Sequence, residues 1–154
     1  MKKVLFIAST GGHLSELMQL KDLFNKYDYH LITEKTDSTI GLKNKYKVDY
    51  LIFGTKDHLF SYIFKFIGNC FKSFYLFLKV RPEYIVTTGT HTAVPISYIG
   101  KFFGSKIIFI ETFANSKTKT LSGKMIYPIA DLFVVQWEEM LKQYPKAVYG
   151  GWIY

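Results

Sequence analysis

The sequence predicts an α/β fold built on a doubly wound, parallel β-sheet, and three observations lead to this prediction. Apolar runs of strand length alternate with stretches of helical periodicity, and Gly, Pro or Asp residues separate them. Several runs are apolar throughout, which is typical of parallel strands that helices cover on both faces. With 154 residues the chain has the size of one domain, so we expect a single domain over 1–154 with one core.

Seven strands and five helices are predicted along the chain. The first strand, Val4–Ser9, follows a start that resembles a signal peptide, but its apolar run is too short and passes directly into a Gly-Gly turn. The helix Leu14–Phe24 and the strand Tyr29–Thr33 follow, and Asp37–Lys47 is expected to be a polar connection. The other strands are predicted at Tyr50–Phe53, Tyr84–Thr88, Lys106–Glu111, Leu132–Gln136 and Ala147–Tyr149, and the other helices at His58–Val80, Val94–Phe103, Ser122–Ile129 and Glu138–Tyr144.

The composition favours an anionic partner other than nucleic acid. The formal net charge of +8 suits phospholipid headgroups, a phosphorylated substrate or nucleic acid. Arg81 is the only arginine, whereas nucleic-acid binders concentrate arginine for bidentate contacts, so we expect no nucleic-acid partner. Lysine combined with 18% aromatic residues is typical of a membrane interface. The single cysteine, Cys70, excludes an intrachain disulfide and is compatible with a reducing compartment.

The loop after the first strand is the first candidate ligand site, because ligands of such sheets bind beyond the carboxyl ends of the strands. It reads Thr10, Gly11, Gly12, His13, and the two glycines allow a sharp turn that brings the backbone close to a ligand. The spacing is neither the dinucleotide pattern Gly-x-Gly-x-x-Gly nor a Walker A motif, so this loop does not favour NAD or ATP as the ligand. Glu16 is expected in the first helical turn, where its charge would oppose a tightly bound pyrophosphate.

Histidines in two of these loops are candidates for acid–base chemistry. His13 is able to accept a hydroxyl proton near neutral pH, and the alternative is that the side chain only caps the helix. His91, in the loop Thr88, Gly89, Thr90, His91, is able to serve the same role, and the sequence does not decide between the two. A third loop carries Glu111, Thr112 and Asn115.

The predicted helix His58–Val80 is apolar around most of its circumference. Its polar residues, which include Asn69 and three lysines seven residues apart, are expected on one narrow stripe. A lysine near the centre of a bilayer costs roughly 2.5–3.5 kcal/mol, so a position in the membrane interface suits the helix better than a span. Packing on the sheet with the lysines in water is the alternative. The residues expected to contact a membrane are Phe60, Phe64, Lys65, Phe71, Lys72 and Lys79.

Together these motifs resemble the acceptor-side, membrane-anchoring subunit of the two-component transferase that adds the second sugar to dolichol-linked glycans, and its bacterial relatives in capsule and exopolysaccharide synthesis. The resemblance covers nearly the whole chain and includes His13 with Glu16, Glu111 to Ala114 and Ser122 to Lys124. Its most specific part runs from Tyr127 to Trp137 and is completed by Tyr144 to Ala147. A more distant likeness is to the amino-terminal half of the single-chain enzyme that glycosylates a lipid-linked peptidoglycan precursor.

The resemblance implies a Rossmann-like domain equivalent to the amino-terminal, acceptor-binding half of a GT-B glycosyltransferase. Such a protein would transfer a hexose or N-acetylhexosamine from a UDP-sugar to a sugar on an undecaprenyl diphosphate carrier, with inversion at the anomeric carbon. It would be a peripheral protein at the cytoplasmic face of the cell membrane. A separate donor-binding subunit would hold most of the UDP-sugar, and no cofactor or metal is expected. We place His13 and Glu16 at catalytic positions, and the acceptor at Thr10, Gly11, Gly12, Thr88, Gly89, Thr90, His91, Glu111, Thr112 and Asn115.

Two departures from the family pattern bear on these expectations. The eukaryotic relative has an amino-terminal transmembrane anchor that this chain lacks, which leaves Leu59–Val80 as the expected membrane contact. Asn115 stands where family members commonly have arginine, so a phosphate contact at that position is in doubt. Two other hypotheses stay open: a membrane anchor and activator whose partner carries all catalytic groups, and a free-standing nucleotide-binding domain.

Overall fold

Seven parallel strands form one sheet in the computed structural model. The structure describes residues 1–54 and 59–153, and within the second helix it describes the side chains from residue 62 onward. The predicted doubly wound α/β architecture is confirmed. The strands are β1 (Lys3–Ile7), β2 (Asp28–Glu34), β3 (Val48–Leu51), β4 (Tyr84–Thr87), β5 (Lys106–Ile110), β6 (Leu132–Val135) and β7 (Val148–Tyr149). The α-helices are α1 (Gly12–Met18), α2 (Leu59–Val80), α3 (Ala93–Phe102) and α4 (Leu121–Ile126), and 3₁₀ helices occupy Lys21–Asn25, Ile40–Asn44 and Glu138–Lys142.

The order of the strands fixes where a ligand site lies. The sheet runs β3-β2-β1-β4-β5-β6-β7, and β1 pairs with both β2 and β4. The chain therefore winds outward in one direction from β1 and in the other from β4. In a sheet of this kind the crevice beyond the carboxyl ends of the two central strands is the usual ligand site. The loops after β1 and β4 lie side by side at this point.

Two apolar cores lie on opposite faces of the sheet. Alternate residues of β1 serve the two cores: Leu5 and Ile7 face the layer of α2, α3 and α4, while Val4 and Phe6 face α1 and the 3₁₀ helix Lys21–Asn25. All four are essentially excluded from solvent. Burial on both faces explains why the strand is apolar throughout.

The side of α2 that packs on the sheet contains both apolar and polar residues. Leu76 and Phe77 enter the core beneath it, and Asn69 and Ser73 are also buried. The Asn69 side chain accepts the Ile52 amide at 2.8 Å and donates to the Ile52 carbonyl at 2.8 Å, so it pairs with the strand-end backbone as a neighbouring strand would. The prediction that Asn69 lies on the outer polar stripe with the lysines is wrong, because this amide is needed by the backbone after β3.

Three predicted segments differ in kind from the observed ones. The helix expected at Leu14–Phe24 ends at Met18, and a separate 3₁₀ helix places Phe24 against Tyr29 with ring centroids 4.3 Å apart. The helix expected at Glu138–Tyr144 is a 3₁₀ helix, and the connection Asp37–Lys47 contains another. Predicted His58 lies outside the described residues. Side chains recur at similar intervals in a short α-helix and a short 3₁₀ helix, so the spacing of the apolar residues does not distinguish the two.

Candidate functional site

The loop after β1 and the loop after β4 are joined by a reciprocal pair of hydrogen bonds. The His13 ring approaches the Thr88 carbonyl through Nδ1 at 2.8 Å, and the Thr88 hydroxyl donates to the His13 carbonyl at 2.7 Å. Because a carbonyl oxygen only accepts, Nδ1 must carry the proton. The neutral ring then has its lone pair on Nε2, for which the described residues supply no hydrogen-bond donor. His13 is half-buried, and its ring is oriented as a proton acceptor would be.

Glycine is required at two positions around this ring. Gly11 precedes α1 with φ of +72°, and Gly89 follows β4 with φ of +110°, both in the region that disfavours other residues. A side chain at Gly89 would lie 3.2 Å from the Ser122 hydroxyl and 3.5 Å from the His13 ring. Gly89 therefore lets the chain pass directly beneath His13. Gly12, also a predicted site residue, is exposed.

Thr90 adopts a left-handed backbone conformation that is uncommon for a threonine. Its φ is +83°, and a conformation of this kind costs about 1–3 kcal/mol. The Thr90 amide donates to the Ser122 hydroxyl at 3.0 Å, and its own hydroxyl lies 2.8 Å from that of Thr92. These contacts hold the strained residue in place and tie the β4 loop to the start of α4. Thr10, in the β1 loop, is half-buried, and the Ser9 hydroxyl donates to its carbonyl.

Glu16 connects α1 to the loop after β5. Its Oε1 accepts the Thr112 hydroxyl at 2.8 Å and the Phe113 amide at 3.0 Å. The prediction that Glu16 lies in the first helical turn is wrong, because α1 begins at Gly12 and its first turn contains no acidic residue. Its carboxylate is therefore bound to the neighbouring loop and does not face the amino terminus of α1.

Glu111, at the end of β5, lies beneath the site. It is 1% exposed, and its carboxylate accepts hydrogen bonds from the hydroxyls of Thr120 (3.0 Å) and Tyr144 (2.9 Å). Burial raises the pKa of Glu111, and these hydrogen bonds oppose the rise. Gly123 passes so close to the carboxylate that a side chain there would clash with it. Glu111 thus anchors the start of α4, and its carboxylate does not reach the surface of the crevice.

Asn115 organises the turn that follows. Its side-chain oxygen accepts the Thr118 amide at 3.2 Å and the Thr118 hydroxyl at 3.1 Å. Asn115 is half-buried. These contacts give Asn115 a role in stabilising the turn, which asparagine has in many loops.

His91 points away from His13, towards β2 and α2. Its Nε2 lies 3.6 Å from Glu34 Oε1, and its ring centroid is 5.5 Å from that of Tyr62. Glu34 is 2% exposed. Burial raises the pKa of Glu34 to about 7, although a hydrogen bond from the Thr10 backbone opposes the rise. The two histidines therefore occupy different environments on either side of the β4 loop.

One surface of α2 is apolar and faces outward. Phe64, Phe71 and Tyr75 are 72%, 74% and 64% exposed. Ile67, Phe74 and Leu78 lie on the same row of the helix and are each more than 40% exposed. We call these six side chains the outer row of α2. A soluble helix normally turns such a row inward, so this surface has the character of a contact for lipid or protein.

The lysines predicted to contact a membrane differ in their surroundings. Lys72 is exposed and Lys65 is half-buried. Lys79 pairs with Asp49 at 2.7 Å, and His30 donates to the same carboxylate at 2.8 Å, so this lysine also ties the end of α2 to the sheet. The Phe60 side chain lies outside the described residues. Within the part of the chain that the structure describes, none of the helices has the length and hydropathy needed to cross a bilayer.

Comparison with known proteins identifies the family. Residues 54–153 match the family described as "Oligosaccharide biosynthesis protein Alg14 like". A protein of Debaryomyces hansenii named "UDP-N-acetylglucosamine transferase subunit ALG14" is 31% identical, over 96% of this chain and 75% of its own length.

The chain belongs to the Alg14 family.

Other Alg14 proteins match over a similar extent. The human protein of the same name is 25% identical over 96% of this chain and 81% of its own length. The protein of Schizosaccharomyces pombe is 27% identical over 97% of this chain and 82% of its own length. The resemblance to the dolichol-linked glycan transferase is therefore confirmed at the level of the Alg14 family.

Solved structures confirm the Rossmann-like, GT-B-type fold. MurG of Acinetobacter baumannii superposes with a TM-score of 0.73 at 13% identity, over 90% of this chain and 43% of that one. A UDP-N-acetylglucosamine 2-epimerase of Rickettsia bellii has a TM-score of 0.70 at 16% identity, over 92% of this chain and 40% of that one. The Alg14-family chain thus spans about two-fifths of each of these structures.

The predicted site residues of this Alg14-family chain fall into two groups. The structure brings His13, Gly11, Thr88, Gly89 and Thr90 together at the switch point of the sheet. It places Glu16, Glu111 and Asn115 in contacts that shape the neighbouring loop. Among the described residues there is no cluster of His, Cys, Asp and Glu suited to a metal ion.

Sequence reasoning missed Glu34, Ser122 and an aromatic group in the third loop. Glu34 ends an apolar strand, and an acidic residue at that position is the one signal that would have found it. Phe113 lies between Trp137 and Trp152, with centroid distances of 4.7 and 5.5 Å, and the Trp137 indole donates to the Phe113 carbonyl at 2.7 Å.

Proposed function

We propose that this chain is the membrane-binding subunit of a two-component UDP-N-acetylglucosamine transferase, and that it presents a lipid-linked acceptor to a separate subunit that binds the donor and carries the catalytic groups. The observation that carries the proposal is the outer row of α2. An apolar row of this length on the surface suits an interfacial position, where the rings enter the lipid and lysine ammonium groups meet the phosphates.

The position of the acceptor follows from the topology. We infer that the sugar and diphosphate of a polyprenyl-linked acceptor lie at the loops after β1 and β4, because these two loops meet at the switch point of the sheet. The backbone beside Gly11 and Gly89 is open to close approach.

A separate donor-binding subunit is supported by the names of the relatives. They are named as subunits of a UDP-N-acetylglucosamine transferase. We propose UDP-N-acetylglucosamine as the donor, held mainly by that partner.

The biological setting proposed here is oligosaccharide synthesis on a lipid carrier, as a peripheral protein at the cytoplasmic face of the membrane. The relatives named above are eukaryotic, and the matched family is described by oligosaccharide biosynthesis, so the comparisons give no support to the predicted role in capsule or exopolysaccharide synthesis.

Vesicle binding tests the membrane role. Each ring that enters lipid contributes about 1.5 kcal/mol or more, so the double variant Phe64→Ser/Phe71→Ser is expected to bind vesicles at least about 100-fold more weakly than the wild type. Binding is measured by co-sedimentation with vesicles of phosphatidylcholine and phosphatidylglycerol. Trp152→Ser removes an aromatic ring that is 77% exposed, beyond the opposite edge of the sheet, and is expected to change little. Equal loss in both variants would refute the assignment to α2.

A second candidate function is favoured by the tautomer of His13. With Nδ1 bound to the Thr88 carbonyl, Nε2 is the basic nitrogen, as a general base that deprotonates an acceptor hydroxyl requires. In that case the chain is the acceptor-side half of an inverting active site, with Glu16 as a residue that positions the loops around it.

The variant His13→Ala separates the two functions. If the chain is only an anchor and activator, the complex with its donor-binding partner keeps most of its rate at saturating acceptor. If His13 is the base, kcat falls by about 10²–10⁴-fold. The conservative variant His13→Asn carries an amide N–H at the place of Nδ1 but offers no base, and it controls for the contact with the Thr88 carbonyl.

A further inference from the structure

A cleft opens between α2, α3 and α4, directly beside the β4 loop. Its volume is about 290 Å³, and apolar side chains make most of its wall. Tyr62 and Phe66 come from α2, Val94 from α3, and Leu121 and Met125 from α4. Leu121 and Met125 are 63% and 42% exposed, so this end of the cleft opens to the surface.

The other end of the cleft is polar and adjoins the site. Thr90, His91 and Ser122 line it. The Ser122 hydroxyl is 6% exposed and accepts the Thr90 amide, so its own proton is available for a ligand oxygen. A side chain at Gly89 would touch both the Ser122 hydroxyl and the His13 ring, so Gly89 lies between this end of the cleft and His13.

Phe66 of the wall lies on α2, the helix that also carries the outer row. A ligand in the cleft would have its apolar part against the wall and its polar part against the β4 loop. Only an apolar chain with an oxygen-rich head fits both ends, because a free sugar or nucleotide would leave the wall without an apolar partner.

We propose that this cleft binds the first isoprene units of the lipid-linked acceptor, with the diphosphate at Thr90, His91 and Ser122. The assignment depends on the proposed function, since it takes the acceptor to be a prenyl diphosphate. It adds that the chain recognises the lipid itself.

The methyl groups of methionine report on the cleft directly. The chain has four methionines; Met125 lines the cleft, while Met140 is buried elsewhere and Met18 lies on α1. In the full-length chain with ¹³C-labelled methionine methyls, farnesyl diphosphate is expected to shift the Met125 signal and leave Met140 and Met18 in place. Inorganic diphosphate is expected to leave Met125 unchanged. An unresponsive Met125, or an equal shift with lysophosphatidate, would overturn the proposal, since the latter would show a general lipid site.

A variant in the complex separates this inference from the proposed function. Met125→Trp fills the cleft and is expected to raise KM for a prenyl-linked acceptor by about tenfold or more, with little change for an acceptor that has only a short alkyl chain. Ile40→Trp, at a position 41% exposed and far from the cleft, is the matched control. If the wild-type complex transfers sugar but Met125→Trp behaves as Ile40→Trp does, the cleft assignment fails and the function stands. If the chain adds nothing to transfer by its partner, the proposed function fails and the cleft assignment with it.

Discussion

At the scale of single residues, the three buried carboxyl groups near the site differ in how the protein accommodates them. Glu111 accepts several hydrogen bonds, Glu16 accepts two through Oε1 and none through Oε2, and Glu34 has no hydrogen bond to its Oε1 among the described residues. Glu34 is also only 2% exposed, and burial with few partners favours the protonated form of a carboxyl group. Glu34 is therefore one group through which pH is expected to act on stability.

The variant Glu34→Gln is expected to flatten the pH dependence of stability. The pKa of Glu34 is about 7 in the folded state and 4.5 ordinarily, so the folded state holds this proton more tightly than the unfolded one. The contribution of Glu34 to the free energy of unfolding is then greatest below about pH 4.5 and falls by roughly 3 kcal/mol as the pH rises to about 7. Urea denaturation at pH 5 and pH 8 measures the fall in both proteins. An unchanged fall in Glu34→Gln would contradict this account, and exposed Glu139→Gln is the control.

The hydroxyl of Tyr144 is expected to stabilise the fold through Glu111. Tyr144 is fully buried, and its hydroxyl donates to the Glu111 carboxylate at 2.9 Å. The variant Tyr144→Phe leaves that oxygen with one partner fewer, which costs about 1–3 kcal/mol of unfolding free energy. Tyr149→Phe removes a hydroxyl from a half-exposed ring and is expected to cost nothing measurable. Equal stability of the two variants in urea would show that the contact contributes little.

At the scale of secondary-structure elements, α2 has two dissimilar sides. The outer row is apolar, while the buried side includes Asn69 and Ser73. Asn69 pairs with the Ile52 backbone, but the Ser73 hydroxyl has no hydrogen-bond partner among the described residues. The helix thus buries Asn69 and Ser73 against the sheet beside Leu76 and Phe77, while the six apolar side chains of the outer row stay exposed, an arrangement that burial alone does not favour.

Two substitutions on the buried side of α2 are expected to have opposite effects. Asn69→Ala leaves the Ile52 amide and carbonyl unpaired and is expected to lower the free energy of unfolding by about 2–3 kcal/mol. Ser73→Ala removes an unpaired hydroxyl and is expected to leave stability unchanged or raise it by about 1 kcal/mol. Chemical denaturation monitored by circular dichroism compares them with the exposed variant Lys72→Ala. A stability loss in Ser73→Ala as large as that in Asn69→Ala would contradict this view of the interface.

The same elements show how far the sequence alone leads. Apolar runs of strand length located all seven strands, and the central ones are apolar throughout because helices bury both of their faces. The Gly-Gly-His turn and the Thr-Gly turn located the switch-point loops, since each needs glycine for its backbone. The inward position of Asn69 was not predictable, because it depends on the Ile52 backbone, which only the tertiary structure brings near.

At the scale of the whole molecule, we propose that three features together bring the acceptor from the membrane to the site. In this proposal the outer row of α2 contacts lipid, the cleft between α2, α3 and α4 holds the first isoprene units, and the loops after β1 and β4 receive the head of the acceptor. The proposal would explain why a Rossmann-like domain of the Alg14 family has an exposed apolar row on one of its helices.

The most direct test of the central claim is sugar transfer by the complex on vesicles that contain the lipid-linked acceptor. The rate is measured with labelled UDP-N-acetylglucosamine for the donor-binding partner alone, with the wild-type chain, and with Phe64→Ser/Phe71→Ser. We expect the wild-type chain to raise the rate, and the variant to lose most of that gain on vesicles but retain it with an acceptor dissolved in detergent. A variant as active as the wild type on vesicles, or a partner as active alone, would contradict the account.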